Sequence, residues 1–156
     1  MEETPLFFPL FVSLKGKKCL IVGGGSIAAR RAGTLSQFQC EVQVIAPELS
    51  EEMKALQREG RVQVTLRRYQ EKDCIGAFLV VAATNDRNIN QQVGREAKEM
   101  GAFVSVADAK EECTFFFPGI AMNEQEKTVI GVTASGGNHG LAKKLTAACK
   151  NILMNS

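Results

Sequence analysis

An α/β fold with a doubly wound parallel sheet is predicted by three observations. Short runs rich in Val, Leu, Ile and Ala alternate with amphipathic helical stretches from residue 18 to 107. The first run ends directly in Gly23-Gly24-Gly25, so a buried strand meets a tight turn and then a helix start. Most runs are apolar at successive positions rather than alternating, as strands covered on both faces require.

The elements follow in order. Lys18–Val22 reads as a buried strand. A helix over 26–38 carries Ile27, Ala28, Ala32 and Leu35 on one face. The strand over 41–45 is stopped by Pro47. Ser50 is placed to cap the next helix, with Glu51 and Glu52 favourable against its N-terminal dipole. Met53 and Leu56 face inward there, and Gly60 ends it. Val62, Val64 and Leu66 alternate like a half-buried strand. Residues 77–83, the most apolar run, predict the central strand. A helix over 86–100 turns Ile89, Val93, Ala97 and Met100 inward, Gly101 ends it, and 102–107 form another strand. This alternation specifies a Rossmann-type sheet with crossovers on both faces.

Beyond Asp108 the pattern changes. An aromatic segment over 115–118, a strand over 128–134, a Ser135-Gly136-Gly137 turn and a helix over 139–153 remain. Leu141, Leu145, Ala148 and Ile152 share one face of that helix. A tail this small holds no core of its own, so its apolar face is expected to find a partner in a second copy, the alternative being that it folds back on its own sheet. The expected organisation is a nucleotide-binding domain over 1–112 and a strand-helix dimerisation segment over 113–156.

Composition narrows the function. The 156 residues carry a net charge of +2 and only paired basic residues, which gives no footprint for nucleic acid or an anionic membrane. No apolar stretch approaches the ~20 residues that span a bilayer. The acidic opening Met1-Glu2-Glu3-Thr4-Pro5 does not read as a signal peptide. Five cysteines, odd in number and widely spaced, predict buried thiols in a reducing cytoplasm and no metal site.

The candidate site is read from strand ends. Gly23-Gly24-Gly25-Ser26-Ile27-Ala28 fits G-x-G-x-x-A between a strand and a helix. Gly23 allows the turn, Gly25 lets backbone approach a pyrophosphate, and Ala28 lets the helix sit close to the sheet. Ala46, Pro47 and Glu48 close the second strand, where an acidic residue would bond a ribose; Glu48 equally suits an exposed cap position. No neighbouring arginine is placed for a 2′-phosphate, which favours NAD over NADP. Thr84, Asn85 and Asp86 follow the strand over 77–83 at the carboxyl edge, where they can line the crevice, cap the next helix, or both. Asp108 ends the next strand at the same edge, where a carboxylate can take a proton or hold the loop. His139, the only histidine, reads as a helix-start residue.

These motifs together resemble the precorrin-2 dehydrogenase/sirohydrochlorin ferrochelatase family, the N-terminal module of siroheme synthase. The resemblance runs through Pro5-Leu6-Phe7-Phe8-Pro9-Leu10, the glycine loop with Arg30 and Arg31, and Val44–Glu48. It continues through Ala82-Ala83-Thr84-Asn85-Asp86 with Asn90, Val106-Ala107-Asp108, Cys113–Pro118, and Ser135-Gly136-Gly137 with Leu141-Ala142. It implies a homodimer that oxidises precorrin-2 to sirohydrochlorin with NAD, in some members with ferrous iron insertion. It implies the chemistry for the aspartate matching Asp108. Ser105, Thr114 and His139-Gly140 depart from the family's usual asparagine, aspartate and serine-proline. The family's further C-terminal helical subdomain is not expected within these residues. Arg30, Arg31, Lys110, Lys143 and Lys144 are candidate contacts for a polycarboxylate, or plain surface charges. The alternative function is a non-catalytic dimeric module binding NAD or a tetrapyrrole.

Overall fold

Five parallel strands form one sheet in the order β3-β2-β1-β4-β5: β1 (Lys18–Val22), β2 (Glu41–Ala46), β3 (Gln63–Leu66), β4 (Ala77–Ala82) and β5 (Phe103–Val106). The computed structural model describes residues 3–155. The sheet and its helices make up one compact unit, Ser13–Phe116; residues 3–12 and 117–155 make up a second. The doubly wound architecture agrees with the expectation. The middle strand, however, is β1, with β4 beside it. Apolar density marks a strand as interior, and both are: Leu20, Ile21, Val80 and Val81 are all buried. It cannot rank two interior strands.

The strand ends are level. Val22 pairs with Ile45 and with Ala82, and Ala82 with Val106, so β1, β2, β4 and β5 finish on one carboxyl edge. Backbone bonds extend the ladder past that edge: Gly23 N–H to Ile45 O at 2.9 Å, Ala83 N–H to Val22 O at 2.8 Å, and Ala107 N–H to Ala82 O at 2.9 Å. The loops that follow are therefore fixed at their roots.

Helix α1 (Ser26–Leu35) packs with α2 (Glu51–Arg58), whose N-terminus is capped by Ser50 Oγ accepting from Met53 N–H at 3.2 Å. Helix α3 (Arg87–Glu99) buries Val93 and Ala97 with Leu20, Val80, Val104 and Val106. Three residues assigned inward face out: Ile27 is 48% exposed, Met100 44% and Leu66, at the end of β3, 65%. Ile27 sits in the first turn of α1, at the sheet's carboxyl edge, and Met100 is the C-cap of α3.

No helix joins β3 to β4. Segment 67–76 crosses instead, pinned by Arg67 to Asp73 at 2.8 and 2.9 Å and by Lys18 Nζ donating to Asp73 O and Ile75 O. Tyr69 OH adds contacts to Cys74 Sγ and Glu96. On the outer side of β5, Thr114 N–H donates to Val104 O and Thr114 Oγ1 accepts from Val104 N–H, both at 2.8 Å. Cys113 Sγ accepts from Val106 N–H at 3.2 Å. Thr114 thus keeps the acceptor that an aspartate would offer there.

In the second unit, β6 (Gly119–Asn123) and β7 (Thr128–Val132) form an antiparallel hairpin against α4 (His139–Met154). The sequence reading missed β6, which is short and follows Pro118. A Cβ on Gly119 would lie 2.1 Å from Thr146 Oγ1, so β6 touches α4 backbone-close. Asn138 Oδ1 caps α4, accepting from Leu141 N–H at 2.9 Å. Among the described residues, no helix is long and apolar enough to cross a membrane.

Candidate functional site

The three glycines of the β1–α1 turn do different work. Gly23 has φ +125°, and a Cβ there would lie 2.2 Å from Ala83 O. A Cβ on Gly24 would lie 2.1 Å from Glu48 O, and Gly24 O accepts from Ser50 N–H at 2.8 Å. Both positions are glycine because neighbouring loops press on them. Gly25 has nothing within 4 Å of a would-be Cβ. It is the N-cap of α1, and no side chain accepts from the first-turn N–H groups. The turn therefore leaves open space over donors at the positive end of a helix dipole, the arrangement an anion needs. Ser26 and Ile27 border that space on exposed positions.

Ala46 is buried under Gly24, while Pro47 and Glu48 are exposed. Pro47 and Glu48 line a groove of about 630 Å³ with Lys54, Arg58 and Leu66. Arg58 comes from the far end of α2, so sequence proximity to Glu48 did not reveal it.

At the end of β4, Asp86 caps α3, its Oδ1 accepting from Asn88 N–H at 2.9 Å and Ile89 N–H at 3.3 Å. Asn85 at the loop tip is exposed. Thr84 is tied inward to Asn90, which is fully buried.

Asp108 is not isolated. Its Oδ1 accepts from Arg87 Nη1 at 2.5 Å, and Arg87 Nη2 reaches both oxygens of Glu112. Glu112 first, and Asp108 after it, hold the Arg87 guanidinium above its ordinary pKa. The Asp108 side chain remains 39% exposed. Arg87 and Glu112 were missed in the sequence, because nothing in their spacing announces that α3 and the turn after β5 meet. Of the other cations, Arg31 is half-buried and its pKa is lowered by that burial, with Arg30 adding to the effect. Arg30 and Lys110 are exposed in this unit; Lys143, Lys144 and His139 are exposed on α4 of the other. The five cysteines are free thiols. Among the described residues, no group of three or more His, Cys, Asp or Glu side chains could hold a metal ion.

The sheet unit thus offers an anion cradle, a rigid loop and a paired carboxylate along one edge. A protein family described as "Putative NAD(P)-binding" matches residues 10–119. The chain is 42% identical, over 93% of its length, to "Probable multifunctional siroheme biosynthesis protein HemA" from Ruminiclostridium josui, of which it covers 28%. It is 33% identical over 94% of its length to a siroheme synthase of Nitrosococcus oceani, covering 31% of it. A siroheme synthase of Pseudomonas putida is 39% identical over 90% of the chain and is covered to 30%. The chain spans less than a third of the length of these relatives. Among solved structures, "SirC, precorrin-2 dehydrogenase" superposes with a TM-score of 0.75 at 25% identity, over 96% of this chain and 71% of that one. These are relatives of the kind that the sequence resemblance implied.

Proposed function

The chain belongs to the NAD(P)-binding family that matches residues 10–119, and on that premise we propose that it oxidises precorrin-2 to sirohydrochlorin with NAD in siroheme biosynthesis. The observation that carries the cofactor part is the open space over Gly25 at the uncapped start of α1. The residues present fit a dinucleotide: a Cβ is excluded at Gly23 and Gly24 by protein, and at Gly25 only by what would bind there.

In this reading the first-turn N–H groups, beginning at Ser26, hold the pyrophosphate. Glu48 at the mouth of its groove takes the adenosine ribose hydroxyls. The 84–86 loop and Ile27 border the nicotinamide half and keep water from it. The bound nicotinamide supplies the hydride acceptor. Asp108 accepts the proton that leaves the macrocycle, with Oδ2 as the receiving atom because Arg87 occupies Oδ1. Sirohydrochlorin, reduced cofactor and one proton are the products, so the step balances. Ferrous iron insertion is proposed as a second step, with the metal as substrate and the two inner N–H protons of the macrocycle released to solvent as it enters. The free thiols fit a cytoplasmic setting, and the exposed apolar face of α4 fits a homodimer.

The test is turnover. Purified protein with precorrin-2 should develop sirohydrochlorin absorbance only when NAD is supplied, and siroheme absorbance only when ferrous iron is added as well. The engagement of Asp108 by Arg87 favours one rival, a module that binds without turning over. Tight NAD binding with no absorbance change would select it.

A further inference from the structure

Asn90 is fully buried on α3. Its side chain is given wholly to one residue. Oδ1 accepts from Thr84 N–H at 2.9 Å and from Thr84 Oγ1 at 2.7 Å, and Nδ2 donates to Thr84 O at 3.1 Å. The reverse amide orientation would set the NH2 group against the Thr84 N–H and the amide oxygen against the Thr84 carbonyl, so the network fixes it. The Thr84 hydroxyl in turn accepts from Asp86 N–H at 3.1 Å. The backbone held this way is the one that crowds Gly23: a Cβ on Gly23 would lie 2.2 Å from Ala83 O and 3.2 Å from Thr84 N.

Packing alone does not call for an amide here. Asparagine is a weak helix former, and its neighbours along the buried face are Val93 and Ala97. What the amide supplies is a partner for the Thr84 N–H, hydroxyl and carbonyl at once. The amide makes sense through the loop it holds.

We infer that Asn90 is the positioning residue of the cofactor crevice: its clamp on Thr84 sets the 84–86 loop against the glycine turn, at the spacing a bound dinucleotide requires. The inference rests on the cofactor reading above. It assigns to Asn90 control of NAD affinity rather than of proton transfer.

Calorimetric titration with NAD, run beside thermal melting, tests it on wild type, Asn90→Leu, Thr84→Val and Thr84→Ser. Asn90→Leu should weaken NAD binding by about 10-fold or more, on the scale of losing a buried hydrogen bond. In turnover, the KM for NAD should rise by more than kcat falls. Thr84→Val removes the hydroxyl bonds and should weaken binding in the same direction; Thr84→Ser, which keeps the hydroxyl, should recover what Thr84→Val loses. If Asn90→Leu does not fold, the two Thr84 variants decide. Folded variants that melt lower yet bind NAD with the wild-type Kd overturn the inference alone. Wild-type protein that does not bind NAD overturns the cofactor reading and this inference with it.

Discussion

At the scale of single residues, the glycine turn separates two kinds of necessity. Gly23→Ala places a methyl group within 2.2 Å of a carbonyl oxygen in a left-handed conformation. It should destabilise the fold by at least about 1–3 kcal/mol from backbone strain alone, seen as a lowered melting temperature with or without ligand. At Gly25 a Cβ meets no protein atom within 4 Å, so Gly25→Asp starts into open space. It should melt like wild type and lose NAD binding, because its carboxylate occupies the anion's place; unchanged affinity by calorimetry would falsify the assignment of the pyrophosphate to this turn. Asp108→Ala belongs to a third kind. It should lower turnover by roughly 10²–10⁴-fold if Asp108 is a general base, with NAD affinity near wild type. A joint fall in melting temperature and affinity would instead make Asp108 a strut for Arg87. The places of the glycine turn and of Asp108 at strand ends were legible because the apolar runs before them mark where each strand stops. The pairing of Arg87 with Glu112 and that of Asn90 with Thr84 were not. Their meaning lies in contacts between elements, and sequence spacing does not encode which side chains face one another.

At the scale of elements, the alternating runs revealed the sheet, α1, α2 and α3, and Ser50 revealed its own cap. Segment 67–76 stayed obscure because it crosses without periodicity and is held by side chains. Its central pair gives a pH prediction. The Arg67 guanidinium, ahead of the Gln70 N–H bond, holds the Asp73 carboxyl below the usual carboxylate range. A folded pKa lower than the unfolded one means the contribution is present above about pH 4 and lost as pH falls through the folded value. Asp73→Asn should therefore melt below wild type at neutral pH, and the two melting curves should converge in strong acid. A gap independent of pH would assign the loss to the packing of the side chain instead of its charge. The hairpin was half-read for a related reason. The run over 128–134 was recognised as a strand, but β6, paired with it, was not.

For the molecule as a whole, the second unit exposes Leu141, Leu145 and Ile152 on α4 at 46%, 47% and 66%. A homodimer through this face is the expected state, and sedimentation at micromolar concentration should show it. Leu145→Asp, which puts a charge on that face, should shift the boundary to the monomer; a wild-type monomer would refute the proposal. The sheet unit is built to stay out of such contacts. β3, at one edge, is only four residues long. At the other edge, β5 has its outward backbone groups consumed by Thr114 and Cys113. Short or occupied edges give an incoming strand nothing to add to. Both edges are thus poor templates for strand addition. The thiol of Cys113 is one of the groups that occupy that edge, so alkylating it should expose the Val106 amide while Thr114 still holds Val104.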